Sequence, residues 1–374
     1  MPRIASYICL IGALIVAILF ISYSSQVSYP APIAIIHTAS STTPSTATST
    51  NQIATTTSIK TESAQPKKII TPVPAVITPP VSTSVHVVTA PATPPPSAGN
   101  SSLDTSASSL RGALVNILCY APAGSKLHSI SGSGIFIDPK GIILTNAHIA
   151  QYFLLADLGV SCTIRSGSPA TNSYYANLIY IPTIWLQTNA NVLTQTAPIG
   201  TGEYDFALIA IYKSATTKAL PSPFPYISLS SNPPNAGTPI VIASYGAQFL
   251  QPNQIAADLF PTIVSGSVKD IFTFATNTID VLALGGSAAA QEGSSGGGIA
   301  DSSGTLVGTI TTSTTEGSTD TRSLDAITAS YIRAEYASET GESIDVLLSK
   351  PTSVSISDYA LKISSLESII TSVL

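Results

Sequence analysis

GSGIFIDPKGIILTNAHIA, residues 132–150, is the stretch whose reading decides the fold. Two runs of apolar and β-branched residues, GSGIFID (132–138) and GIILTNAHI (141–149), flank a Pro-Lys-Gly punctuation, the pattern of two strands joined by a tight turn. The second run closes on Thr145-Asn146-Ala147-His148, and the apolar IAQYFLL after it reads as a short helix, so His148 stands at a strand-to-helix corner. Histidine titrates near neutrality and can take a proton from a hydroxyl and return it to a leaving group. A lone histidine after a strand is more often structural. Here, however, His37 and His86 lie in a Ser/Thr/Pro-rich tract and His128 in a turn, leaving His148 as the histidine placed for catalysis.

Outward from this stretch the texture stays the same. Upstream lies ALVNILCY (113–120), and downstream VSCTIR (160–165), ANLIYI (176–181) and DFALIAIY (205–212) complete a first group of strands. A second group comprises TPIVIASY (238–245), TIVSGSVKDI (262–271), IDVLALG (279–285), GGGIAD (296–301), LVGTITT (306–312) and SLDAITA (323–329). Short strands between Gly, Pro, Asn and Ser turns indicate an all-β barrel or sandwich, and two groups of about six are what two packed barrels need.

Two further motifs bear on chemistry. Glu203-Tyr204-Asp205-Phe206-Ala207-Leu208 opens an apolar strand with a carboxylate; alone it reads as a turn or edge residue, but paired with His148 it would fix the imidazole tautomer and stabilise the imidazolium. Gly293-Ser294-Ser295-Gly296-Gly297 is a tight turn whose glycines reach backbone angles other residues avoid, letting main-chain N–H groups converge. By itself it is also compatible with a Gly/Ser loop of no chemical interest. The chain order His148, Asp205, Ser295 is one of the orders in which such triads occur.

With these motifs in that order, the segment from about Leu110 to Ala334 resembles the trypsin-like serine proteases, most closely the protease domain of the HtrA-type (Deg) branch. The resemblance rests on GSGIFIDPKGIILTNAHIA, YDFALIAI, AGTPIVIASYG with TIVSGSV, and GSSGGGIADSSGTLVGTI. It implies two packed six-stranded antiparallel β-barrels with the active site between them. In that frame Ser295 attacks the peptide carbonyl, His148 serves as base and then acid, Asp205 orients it, and the N–H groups of Gly293 and Ser295 bind the oxyanion. It also implies a pocket near Ala289, Thr309 and Thr311. None of these is a carboxylate, so cleavage after small or medium apolar residues is expected rather than after Lys or Arg. Two cysteines beyond the N-terminal segment suggest a disulfide in an exported domain, and the family's pairing of the strands carrying Cys119 and Cys162 supports that bridge.

Departures are also visible: Ser294 stands where digestive-type members carry an Asp that pairs with a newly cut N-terminus, and Gly298 where proline is common. A catalytically silent, protease-like binding or adhesion module is the alternative reading. HtrA-type proteins usually continue into PDZ domains, and the stretch after residue 329 is too short for one. The tail, 351–374, has near-helical apolar spacing and is expected to pack on the domain itself.

The N-terminal third has a different character. Ile4–Tyr23 is about the 20 apolar residues that cross a bilayer core, and Arg3 before it sets the N-terminus in the cytoplasm and the remainder outside, in the periplasm or at the cell surface. A cleaved signal peptide is the alternative; the length of the run and the lack of a nearby Ala-x-Ala site favour an uncleaved anchor at 1–23. Residues 24–109, rich in Ser, Thr, Pro and Ala, read as a disordered linker reaching about 50 Å, with the protease domain at 110–350. Only 9% of residues are charged and the net charge is −5, so no basic field gathers nucleic acid. No ligand spacing suggests a metal and no lysine comes after GSSGGG as in a phosphate loop, so no cofactor is expected; the partners expected are protein or peptide substrates and, through the N-terminal helix, the membrane. Oligomeric state is left open.

Overall fold

The computed structural model describes residues 67–68, 100–195, 200–275 and 277–374. A closed barrel comes first, from β2 (Leu114–Tyr120), β3 (Ile130–Asp138), β4 (Ile142–Thr145), β5 (Ser161–Ser166), β6 (Thr171–Tyr180) and β7 (Ala207–Ser214), in the order β2-β3-β4-β7-β6-β5 with every pair antiparallel. All of β4 is buried, so it reads as an unbroken apolar run rather than an alternating one. The turn and helix after it are α2 (Ala147–Ala150) and a 3-10 segment, Gln151–Leu158, matching the short helix expected there.

The second half departs from the expected six-stranded barrel. It is an open eight-stranded sheet of β1 (Lys67–Lys68), β8 (Pro239–Ser244), β9 (Thr262–Ser267), β10 (Asp270–Thr273), β11 (Val281–Ala283), β12 (Gly298–Asp301), β13 (Leu306–Ser313) and β14 (Leu324–Thr328), in the order β1-β10-β11-β14-β13-β12-β8-β9. Closure would require β9 to pair with β10, yet they are joined by Val268 and Lys269 alone. Those two residues spend their hydrogen bonds elsewhere: Val268 N–H donates to Thr238 O, Gly237 N–H donates to Val268 O, and Lys269 N–H donates to Ala283 O. The corner is therefore held by the chain without a ladder, and the outer edge of β10 is covered by β1 instead. The single expected strand 262–271 is accordingly two, bent at this corner.

Helices pack around the all-β core. α1 (Asn100–Ala113) begins inside the stretch read as linker; Leu103, Ala107 and Leu110 recur along it and pack on the core, and Ser106 Oγ donates to Asp301 O at 2.8 Å. Ser/Thr-rich composition conceals this stripe. Between β6 and β7 lies α3 (Thr183–Asn189), and α4 (Pro252–Ala257) sits between β8 and β9. After β14 come α5 (Ala329–Thr340), α6 (Ile344–Ser349) and α7 (Thr352–Thr371). The expected C-terminal helix is α7; it buries Tyr359, Leu366 and Ile370, and Tyr359 Oη accepts from Ile181 N–H at 3.0 Å, fastening it to the first barrel. Among the described residues no helix is long and apolar enough to cross a membrane, and the segment Ile4–Tyr23 lies outside them.

Cys119 on β2 and Cys162 on β5 face each other in register and are joined by a disulfide closing a 43-residue separation. Cross-linking residues so far apart removes loop-closure entropy from the unfolded chain. Replacing both with alanine is expected to lower stability by about 2–4 kcal/mol, read as a lower urea midpoint for the full chain, with the wild type under reducing conditions shifting in the same direction.

Candidate active site

His148 and Asp205 arrive from neighbouring strands of the first barrel, His148 just past the end of β4 and Asp205 just before β7, which pair through Thr145 and Ala207. Asp205 is 5% exposed. Its carboxylate accepts from three donors: Oδ1 from the His148 backbone N–H at 3.0 Å, and Oδ2 from His148 Nδ1 at 2.8 Å and from Thr311 Oγ1 at 2.8 Å. An ionised carboxylate can only accept, so Nδ1 carries a proton, and in the neutral imidazole Nε2 is then the nitrogen that presents a lone pair. The Asp205 main chain is held too, its carbonyl accepting from Asn146 Nδ2 at 2.8 Å.

Ser295 comes from the other half, in the turn before β12. The turn is bound to the first barrel through Ser133 on β3, whose N–H donates to Ser295 O at 2.8 Å and whose Oγ donates to Gly293 O at 2.8 Å. Gly293 and Gly296 both hold positive φ, +89° and +82°. At Gly296 a Cβ would stand 2.0 Å from Ser133 O, so only glycine allows the two halves to approach this closely. Among the described residues, neither the Gly293 nor the Ser295 N–H donates to any group of the protein, and Ser295 Oγ has no hydrogen-bond partner. The turn therefore offers two unspent main-chain donors flanking a hydroxyl.

Thr311, expected to line a substrate pocket, donates its hydroxyl to Asp205. The bond accompanies a register shift on β13 between Ile310 and Thr312, which takes Thr311 out of the ladder with β14. The two other residues expected at the pocket, Ala289 and Thr309, are fully buried, Ala289 in the core of the second sheet and Thr309 donating to Gly297 O at 3.0 Å.

Behind the His148–Asp205 pair the backbone is strained. Tyr204 has φ +58°, a left-handed conformation costly for a bulky side chain. Its N–H donates at 3.1 Å to Tyr331 Oη, a buried hydroxyl on α5, and its ring packs against that of Tyr331.

Carboxylates gather around this strut. Burial pushes Glu203 and Glu335 above the usual carboxylate range, and the charge of Asp280 adds to each.

Part of this assembly matches a known family. Residues 132–308 match the model of the trypsin-like peptidase domain, a span that contains His148, Asp205 and Ser295. Residues 132–308 are a trypsin-like peptidase domain. The chain is also similar to solved structures of the Rv3671c protease. The active form, from M. tuberculosis, is 19% identical, with 72% of this chain and 96% of that chain covered at a TM-score of 0.39. For the inactive form the identity is 16%, covering 67% of this chain and 98% of that chain at a TM-score of 0.40. No curated protein matches. The peptidase domain's match ends on β13, so Thr311, Arg322 and the helix α5 that carries Tyr331 lie beyond it.

One acid of the domain's surroundings gives a pH signature. Asp325 on β14 is the register partner of Thr312; its carboxylate has no hydrogen bond or ion pair among the described residues, and burial pushes it from 3.8 to about 6. A carboxyl raised in the fold favours the folded state while protonated; that contribution is complete below the unfolded value near 4 and is lost as pH rises through about 6. Asp325→Asn is expected to raise the melting temperature at pH 7.5 while leaving it nearly unchanged at pH 4, so the gap between the two pH values narrows relative to wild type.

Proposed function

We propose that this chain is a membrane-anchored, extracytoplasmic serine endopeptidase that cleaves peptide bonds through His148, Asp205 and Ser295 by way of an acyl-enzyme. The observation that carries the reading is the union of a buried, three-donor carboxylate on His148 Nδ1 with a serine turn whose Gly293 and Ser295 N–H groups are unspent. His148 Nε2 would take the Ser295 Oγ proton as Oγ attacks the carbonyl carbon; the charge arising on the carbonyl oxygen would meet the two N–H donors. His148 would then protonate the departing amine, and a water activated by the same imidazole would release the acyl group. Preorganised donors of this kind contribute about 2.7–4 kcal/mol each to the transition state.

The location of the domain outside the cytoplasm is supported by the Cys119–Cys162 bridge, since such bonds persist in oxidising compartments, and by the apolar run Ile4–Tyr23. Small or medium apolar side chains before the cleaved bond are the proposed preference, because Ala289 and Thr309 bring no charge. A silent binding module is the second reading, favoured by one feature: Ser295 Oγ makes no hydrogen bond with His148. Contacts of this type are often loose before substrate arrives.

Labelling the full chain with a fluorophosphonate probe decides between them. The wild type is expected to label, with Ser295→Ala and His148→Ala abolishing the signal, and Thr311→Val slowing labelling about tenfold, the equivalent of one hydrogen bond to a charged group. A folded wild-type chain that stays unlabelled would count against the active peptidase and favour the binding module or a protease resting in an inactive state.

A further inference from the structure

Three segments distant in sequence meet behind the Gly293 turn. They are the start of the β8–β9 loop at Gly246–Leu250, the stretch Ser287–Glu292 leading into Gly293, and the β13–β14 loop ending at Arg322. Arg322 stands where they meet, 5% exposed. Its Nη1 donates to Gln248 Oε1 at 2.6 Å and to Ala290 O at 2.8 Å, its Nε donates to Gly317 O at 3.1 Å, and the guanidinium lies 5.8 Å from the centre of the Phe249 ring. No carboxylate pairs with it among the described residues. A buried cation is tolerated only when its donors are satisfied, and here one planar fork draws its acceptors from all three segments. None of them can shift without leaving a donor of the guanidinium unpaired.

The consequence reaches Gly293 through one peptide plane. Ala247, next to Gln248, donates its N–H to Glu292 O at 2.8 Å. The Glu292 carbonyl and the Gly293 N–H belong to a single planar trans unit and point in opposite directions. Holding the carbonyl against the β8–β9 loop therefore turns the Gly293 N–H the other way, where no group of the described residues accepts it. Ser294, between the two donors, is fixed from the far side by a 3.0 Å hydrogen bond from Ser244 Oγ.

We propose that Arg322 is a positioning residue that keeps the oxyanion hole formed, cross-linking the three loops so that Gln248 and Ala247 hold the Glu292–Gly293 peptide in its working orientation. This rests on the peptidase reading above. The guanidinium touches no reacting atom and acts through the loops it joins.

The test is the rate of fluorophosphonate labelling of the full chain as a function of pH, in wild type, Arg322→Ala, Arg322→Lys and Gln248→Ala. Arg322→Ala is expected to label about 10²-fold more slowly, the effect of losing one oxyanion donor, yet to reach the wild-type final stoichiometry with an unchanged pH midpoint, because His148 and Asp205 are untouched. Loss of folding would instead lower the stoichiometry. Arg322→Lys keeps the charge without the fork and is expected to stay slow; full speed in either Arg322 variant would overturn the cross-link. Should Arg322→Ala fail to fold, Gln248→Ala carries the decision: slower labelling at full stoichiometry supports the proposal and a wild-type rate refutes it. An unlabelled wild type would remove the peptidase reading and this proposal with it, whereas a labelled wild type with an equally fast Arg322→Ala would remove this proposal alone.

Discussion

The seam at Ser133 is the constraint on which the site depends. His148 and Asp205 belong to the closed barrel and Ser295 to the open sheet, so their relative placement is set by whatever joins the halves. Ser133, fully buried on β3, donates its N–H to Ser295 O and its Oγ to Gly293 O, while that same Oγ accepts from the Tyr245 N–H at 2.8 Å and its carbonyl accepts from Thr145 Oγ1 at 2.7 Å. One residue thus ties the serine turn, the end of β8 and the strand leading to His148. Each bond contributes about 1 kcal/mol net, but a buried donor or acceptor left unpaired costs about 1–3 kcal/mol. The seam is accordingly hard to open by degrees, and the open second sheet need not close on itself to present Ser295 in register with the barrel.

The division between what could be read in the chain and what could not stems from the range of the interactions. The strands were legible because their apolar and β-branched runs are local and their turns carry Gly, Pro and Asn. His148, Asp205 and the Gly293–Gly297 turn were legible because each sits in a short motif whose chemistry is compressed into a few neighbouring residues. Thr311 was legible as part of a strand and, through the family resemblance, as a pocket residue; its bond to Asp205 accompanies a one-residue register shift, which leaves no mark in composition. α1 was hidden because its Leu103, Ala107 and Leu110 stripe is diluted by serine and threonine. The missing ladder between β9 and β10 was hidden because the two-residue link reads as continuous strand.

Two buried arginines show the same limit. Arg165 on β5 is 1% exposed and donates to Ala170 O, to Asn116 Oδ1 and to the carbonyls of Ile255 and Ala256 on α4, fastening the β8–β9 loop to the barrel from one side while Arg322 grips it from the other. Burial lowers the affinity of Arg165 for its proton, yet four acceptors satisfy the fork. In a chain with so few charges, a lone arginine between apolar strands is ambiguous by pattern alone, since most of its acceptors are main-chain oxygens that every sequence possesses.

The strained Tyr204 marks where the site ends. A left-handed tyrosine costs about 1–3 kcal/mol and persists only when its surroundings over-determine it. Here the surroundings are Tyr331 on α5, which accepts the Tyr204 N–H, and the turn bonds from Asp205 N–H to Gly202 O and from Phe206 N–H to Tyr204 O. Because Tyr204 directly precedes Asp205, the strain sets the direction in which the carboxylate leaves the backbone. Helix α5 lies past the last strand of the open sheet and outside the span of the peptidase match, yet it bears on the buried Asp205. The site therefore draws on the barrel, the open sheet and the first C-terminal helix together, with the helix supplying one of the bonds that hold an unfavourable backbone angle.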